Sequence, residues 1–251
     1  MLELTPGFFA IAAPAVLFAG ISKGGFGSGA AFASATILAL ILEPGQALAI
    51  MLPLLMLIDV TALRPFWGKW SWPDVRVMML GAVPGVALGA LLYKSADTDV
   101  LRLLIGAIAL GFVLWQLAQR NGLVPAPTRR LPASAGLVAG AVTGFTSFVS
   151  HAGGPPAAVY LLSQRLDKTR FQATTVLLFW IINIAKFVPY AFLGMFTAQT
   201  ALADVILAPF AVLGAWLGVR AHRIVPEPLF FGITYVLLTI TGSKLIWDAL
   251  A

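Results

Sequence analysis

Two short stretches of this sequence combine residue types that can hold a small anion. The first is Gly20-Ile-Ser-Lys-Gly-Gly-Phe-Gly-Ser-Gly29, which carries five glycines, two hydroxyls (Ser22, Ser28) and one lysine, Lys23. Each glycine costs about 1 kcal/mol against alanine in a helix interior, so the run predicts a broken helix. Where a helix restarts, around Phe26 to Ser28, its first backbone N–H groups are unpaired and partly positive, a ready anion site. Lys23 adds a full positive charge and the serines add neutral donors. The second stretch, Ser147-Phe-Val-Ser-His-Ala-Gly-Gly-Pro-Pro156, is its counterpart. Ser147 and Ser150 are donors, Gly154-Pro155 suits a first helical turn, and His151 can donate to an anion or carry a proton. Both features have plainer readings. The glycines can serve close helix packing, Lys23 can snorkel to a surface, and His151 can satisfy backbone carbonyls.

Three further residues stand out because they lie inside apolar runs. Asp59 is a carboxylate within such a run, and Asn183 falls at the equivalent place in the second half. A buried acid suggests ion coupling or a partner for Lys23; pairing with Arg64 is the alternative. Lys186 lies three residues beyond Asn183, on the same helical face, with snorkelling as its alternative. Asp59, His151 and Lys186 are therefore candidates for coupling to H+ or Na+. Gln46, Gln172 and Thr175 are weaker polar candidates. The means for enzyme chemistry are thin. There is no cysteine and there are only two histidines, too few for a histidine-based metal cluster. Ser150 and His151 are adjacent, but a Ser/His pair needs spatial placement. No resident cofactor or metal is expected.

The elements that position these residues are apolar runs. Of the 251 residues 60% are hydrophobic and only 10% charged, the mark of a polytopic membrane protein. Runs lie at 6–22, 29–42, 46–63, 75–93 and 99–119, then at 132–149, 154–163, 171–193, 201–219 and 228–247. Six of them reach the length that spans a bilayer. The runs at 29–42 and 154–163 are short, so each pairs with its predecessor as a re-entrant hairpin or as two short crossings. The two sets resemble each other at an offset of about 125, with Pro84 against Pro209 and the Ser28-Gly29 break opposite Gly153-Gly154. Residues 1–119 and 132–251 are thus expected to be repeats joined by a basic linker, 120–131.

Charge sets the topology. Eleven of the 16 Lys and Arg fall in loops on one side: Arg64, Lys69, Arg76, Arg120, Arg129, Arg130, Arg165, Lys168, Arg170, Arg220 and Arg223. Lys94 and Arg102 face the other. Positive residues stay inside, so both termini are expected outside. Three crossings plus a hairpin is an odd parity, which inverts one repeat against the other and brings the two glycine-rich tips together. Inverted repeats with broken helices are the architecture of secondary transporters. Trp67, Trp70, Trp72 and Trp247 fit interfacial belts. The fold class expected is an all-α polytopic membrane protein.

The two glycine-rich motifs, the second of them extended to Gly144-Phe-Thr-Ser-Phe-Val-Ser-His-Ala-Gly-Gly-Pro-Pro156, and the two halves joined by a basic linker resemble the TauE/SafE family of membrane permeases. The Pro-Pro ending is a departure from what the resemblance requires. The resemblance implies transport of sulfite, an organosulfonate such as sulfoacetate, or thiosulfate, in a bacterial plasma membrane. Its motifs map onto Lys23, Gly24, Gly25, Gly27, Ser28, Ser150, His151, Gly153 and Gly154, beside Ser22, Ser147 and Asn183 from the residues themselves. A secondary transporter working by alternating access is the expectation. A passive anion channel on the same fold is the alternative, and an integral-membrane enzyme or a structural subunit is a weaker one. Expected partners are a small sulfur-containing anion and the lipid bilayer, with a homodimer left open and no nucleic acid.

Overall fold

The computed structural model describes residues 4–26, 30–124, 129–221 and 226–251. Those residues form ten α-helices and no strand. The first five are α1 (Pro6–Ile21), α2 (Ala33–Leu38), α3 (Pro44–Leu63), α4 (Trp72–Ser95) and α5 (Thr98–Arg120). The second five are α6 (Ala133–Ser150), α7 (Gly154–Ser163), α8 (Lys168–Phe192), α9 (Ala198–Ala221) and α10 (Glu227–Leu250). Eight of these, all but α2 and α7, are long and apolar enough to cross a membrane. The protein is a multi-pass α-helical membrane protein.

Local chemistry explains where the helices start. Thr5 caps α1 by accepting from Phe8 N at 3.2 Å, Asp97 caps α5 through Val100 N at 2.8 Å, and Asp167 caps α8 through Arg170 N at 2.9 Å. Pro6 and Pro44 occupy first turns, where a missing N–H costs nothing. Prolines also sit inside α1, α3, α4, α8 and α9. Each removes an i→i−4 hydrogen bond, a defect that neighbouring helices in a bundle can offset.

The regular helix α1 ends at the glycine run: a π-turn, Ser22–Phe26, replaces it and makes a span of 21 residues, Pro6–Phe26, while 27–29 lie outside the described residues. The expected helix restart around Phe26 to Ser28 is corrected: the next α-helix starts at Ala33. The wider turn accommodates Gly24 and Gly25 because neighbouring backbone fills the space their side chains would take. A Cβ on Gly24 would lie 2.4 Å from Ala215 O, and one on Gly25 2.3 Å from Gly218 O. The return helix α2 is six residues, not the fourteen of the apolar run, and it starts at Ala33 without a side-chain cap. At 1.5 Å per residue it covers roughly 9 Å, so it is no membrane crossing.

Helix packing is close and has a regular pattern. α4 lies along α6, and α9 lies along α1; α3 packs on α9 as α8 packs on α4; α5 packs on α10 and α3 on α8. Small residues set the spacing. Gly81, Gly85, Gly140 and Gly144 place the α4 and α6 backbones in contact, and a Cβ at any of them would lie 2.0–2.2 Å from a carbonyl oxygen of the other helix. Of the belt tryptophans, Trp67, Trp72 and Trp247 are exposed, and Trp67, Trp70 and Trp72 form an edge-to-face run between α3 and α4.

Candidate functional site

The two glycine-rich tips meet. Lys23 and Ala31 from the first, Ser147 and His151 from the second, and Leu55, Phe179 and Asn183 line one cavity of about 10 Å³. That is room for about one water molecule.

A chain of polar contacts runs around this cavity. Lys23, in the π-turn after α1, donates from Nζ to Asp59 Oδ1 at 2.5 Å. A π-turn shifts the helical register of the residues beyond it, a feature frequent at functional positions. Asn183 on α8 donates from Nδ2 to the other carboxylate oxygen of Asp59 at 2.6 Å. One turn further along α8, Lys186 donates from Nζ to Ser147 O at 2.9 Å and meets His151 Nδ1 at 2.8 Å. His151 Nε2 then reaches Leu48 O, on α3, at 3.2 Å. A lysine has only donors and a carbonyl only accepts, so the imidazole is neutral with its proton on Nε2. Lys23 also stands over the Phe179 ring at 5.8 Å, a cation–π arrangement.

Burial makes the charge balance matter. Asp59 is 1% exposed, Lys23 5% and Lys186 0%. The one carboxylate is shared by Lys23 and Asn183, and among the described residues no carboxylate pairs with Lys186. With both lysines protonated, the cluster holds two positive charges against one negative. A buried ammonium without a counter-anion is costly, and an arriving anion removes that cost.

His151 occupies its place at a cost in backbone conformation. It ends α6 with φ 57° and ψ 12°, the left-handed region. Its N–H bonds Ser147 O at 3.0 Å and the next N–H, of Ala152, bonds Thr146 O at 3.3 Å. This is a helix stop in which glycine is the usual residue. A non-glycine residue there costs on the order of 1–2 kcal/mol, so the ring, not the backbone, accounts for histidine.

The other expected site residues divide. Ser147 lines the cavity and offers its carbonyl to Lys186. Ser150 donates its hydroxyl to Thr146 O at 3.0 Å, away from the cavity lining. Ser22 is buried in the π-turn. Gly24 and Gly25 face α9, as above, so helix packing accounts for them. Gly153 fits against Phe179 and Ser147, where a Cβ would come within 2.9–3.0 Å. Gly154 opens α7, but Pro155 and Pro156 come next and bring no N–H, so that helix start is a poorer donor than expected. Gly27 and Ser28 lie outside the described residues. Asp59 pairs with Lys23 and not with Arg64, which is exposed. Lys186 is fully buried and does not snorkel.

Phe179 and the Leu48 carbonyl went unanticipated. Phe179 had a signal: with Gln172, Thr175, Asn183 and Lys186 it forms one helical face of α8. Gln172 Nε2 approaches Lys23 O at 3.5 Å, tying that face to the π-turn. The Leu48 carbonyl had none, since a backbone oxygen leaves no mark in sequence.

A membrane-embedded helical bundle with two lysines, a carboxylate and a histidine sealed at its centre is the build of a membrane permease. The chain belongs to the sulfite exporter TauE/SafE family, which it matches over residues 12–245. Searches for similar curated proteins and for similar solved structures returned no match.

Proposed function

We propose that this protein carries a small sulfur-containing anion (sulfite, thiosulfate or an organosulfonate such as sulfoacetate) across a bacterial plasma membrane by alternating access. The observation that carries the proposal is the pair of buried lysines at the junction of the two tips, Lys23 and Lys186, of which only Lys23 has a carboxylate partner among the described residues. The anion binds between them, with Ser147 and Asn183 at its edge and His151 as a neutral donor after a tautomer change. Membership of the TauE/SafE family supports the substrate class.

The carrier reading is preferred to the channel because the cavity is only about 10 Å³. A sulfonate is several times larger than a water, so helices must part to admit it. The pairing of α4 with α6 and of α9 with α1 supports the two-repeat reading of residues 1–119 and 132–251, inverted about the site. The cationic loops then lie in the cytoplasm and both termini outside. Between the start of α1, the start of α3 and Asp248 lies a polar recess of about 570 Å³ lined by Thr5, Glu43, Gln46, Arg102 and Asp248; in this orientation it is the outer vestibule.

The test is flux in liposomes of purified protein, offered sulfite, thiosulfate, isethionate or sulfoacetate. Saturable flux of at least one, lost in Lys23→Ala and in Lys186→Ala, is expected. Non-saturating flux would favour the channel, and no flux of any of the four would remove the substrate class.

A further inference from the structure

Asp59 already holds the ammonium that a substrate anion would need. Its carboxylate is bound by Lys23 at 2.5 Å and by Asn183 at 2.6 Å, and both of those residues line the cavity on which the two tips converge. An oxyanion entering that cavity needs the same ammonium. Lys23 cannot satisfy two buried anions with one charge; Lys186, held by the neutral acceptors Ser147 O and His151, flanks the anion from the other side. Building on the transport reading above, we infer that Asp59 is a built-in substitute for the substrate: the incoming anion displaces it from Lys23, and the released carboxylate takes up a proton.

The charges balance. Before binding, Lys23 and Lys186 are cationic and Asp59 anionic, and a monovalent anion with its proton leaves that net charge unchanged. After binding, Lys23 is paired with the anion and Asp59 carries one added proton drawn from the compartment the anion came from. A carboxylate that loses its cation in an apolar interior is neutralised by a proton, because an isolated buried charge is the more costly state. Asn183 is suited to both forms, since its amide can donate to a carboxylate and its carbonyl can accept from a carboxylic acid. One proton thus accompanies each anion, in whichever direction the anion moves. A monovalent sulfonate crosses without net charge and a divalent anion carries one negative charge.

The groups facing Asp59 leave few rivals for that proton. Lys23 reaches it from the π-turn, Asn183 and Lys186 from α8, and His151 faces the same cavity from the end of α6. Just past the end of its own helix stands Arg64, exposed. α9, also packed on α3, has Asp204 and Arg220 as its charged residues, near its two ends. α1 and α2 have none.

The deciding experiment is infrared difference spectroscopy on the protein in lipid bilayers, perfused in turn with sulfite, thiosulfate, isethionate and sulfoacetate, with flux of each measured on the same preparation. With sulfite, thiosulfate and isethionate, which have no carboxyl group, the spectrum reads the protein's carboxyl groups directly and is unaffected by the buffering of sulfite itself; sulfoacetate is judged by the difference between wild type and Asp59→Asn. For any transported anion, a C=O stretch of a protonated carboxyl group should appear on binding and be absent in Asp59→Asn. Lys23→Gln should show the band before any anion is added, with no further gain. Flux without that band in the wild type overturns the inference and leaves the transport reading standing. A band that persists in Asp59→Asn also overturns it, by assigning the proton elsewhere. Absence of flux for all four anions removes the transport reading, and the inference with it.

Discussion

Lys23 Nζ and Asp59 Oδ1 lie 2.5 Å apart, 36 residues apart in sequence and both almost wholly buried. A buried pair of this kind gives little net stability, because desolvation offsets most of the attraction. Breaking it is another matter, since removal of one partner strands the other. Lys23→Ala and Asp59→Ala are each expected to cost about 3–5 kcal/mol, while the double variant costs less than the two singles summed. Thermal unfolding in detergent checks this, and strict additivity would show that the two groups do not interact.

Lys186 should behave in the opposite sense. It is a fully buried amine with no carboxylate partner among the described residues. Ser147 O, its acceptor, is also bonded by His151 N at 3.0 Å and so keeps a donor when Lys186 is lost. Lys186→Met retains the length and removes the desolvated charge. The melting temperature is expected to rise while anion flux disappears. A fall in stability comparable to that of Lys23→Ala would contradict the charge balance drawn for the site.

His151 allows backbone and ring to be separated. His151→Gly relieves the left-handed conformation, a gain on the order of 1 kcal/mol, but removes the contacts to Lys186 and Leu48. His151→Val loses the same contacts and worsens the strain. Flux should be lost in both, with the valine variant less stable than the glycine variant by about 1 kcal/mol or more. Equal stabilities would mean that the helix stop had reorganised.

Packing of α4 on α6 predicts an effect remote from the site. A Cβ at Gly85 would lie 2.1 Å from Ala141 O, a backbone atom that cannot swing away. Gly85→Ala is expected to destabilise by about 1–3 kcal/mol, as overpacking does. Gly111→Ala is the control, because nothing lies within 4 Å of a Cβ there. Helical propensity should make that change neutral or favourable. Melting temperatures of the two variants, measured side by side, check the contrast.

Much of the architecture was legible because bilayer-spanning helices must satisfy their backbone internally, so apolar length alone marks them. The starts of α3, α4, α5 and α8 carry Pro44, Pro73, Asp97 and Asp167, residues suited to a first turn or a cap. The π-turn was not legible. Five glycines announce that a regular helix is disfavoured, but what replaces it depends on α9 lying against Gly24 and Gly25. Charge at the centre was half legible. An aspartate inside an apolar run must find a cation, which singled out Asp59 and left Lys23 and Arg64 as its two candidate partners. Lys186 has a stem long enough to reach a surface, and only the position of the α6 tip shows that it turns inward instead.

The interlocked glycines decide what can move. α1 and α9 touch backbone to backbone, Gly214 against Leu17 O and Gly218 against Ile21 O, as α4 and α6 do through Gly81 and Gly140. Surfaces meshed this tightly do not slide by a turn without driving a side chain into main chain. Each clasp joins a helix from one half of the chain to a helix from the other, and one clasp carries Lys23 while the other ends at His151. Whatever parts Lys23 from His151 must therefore swing one clasp against its twin. The two bodies that such a motion would move are thus each woven from helices of both halves of the polypeptide.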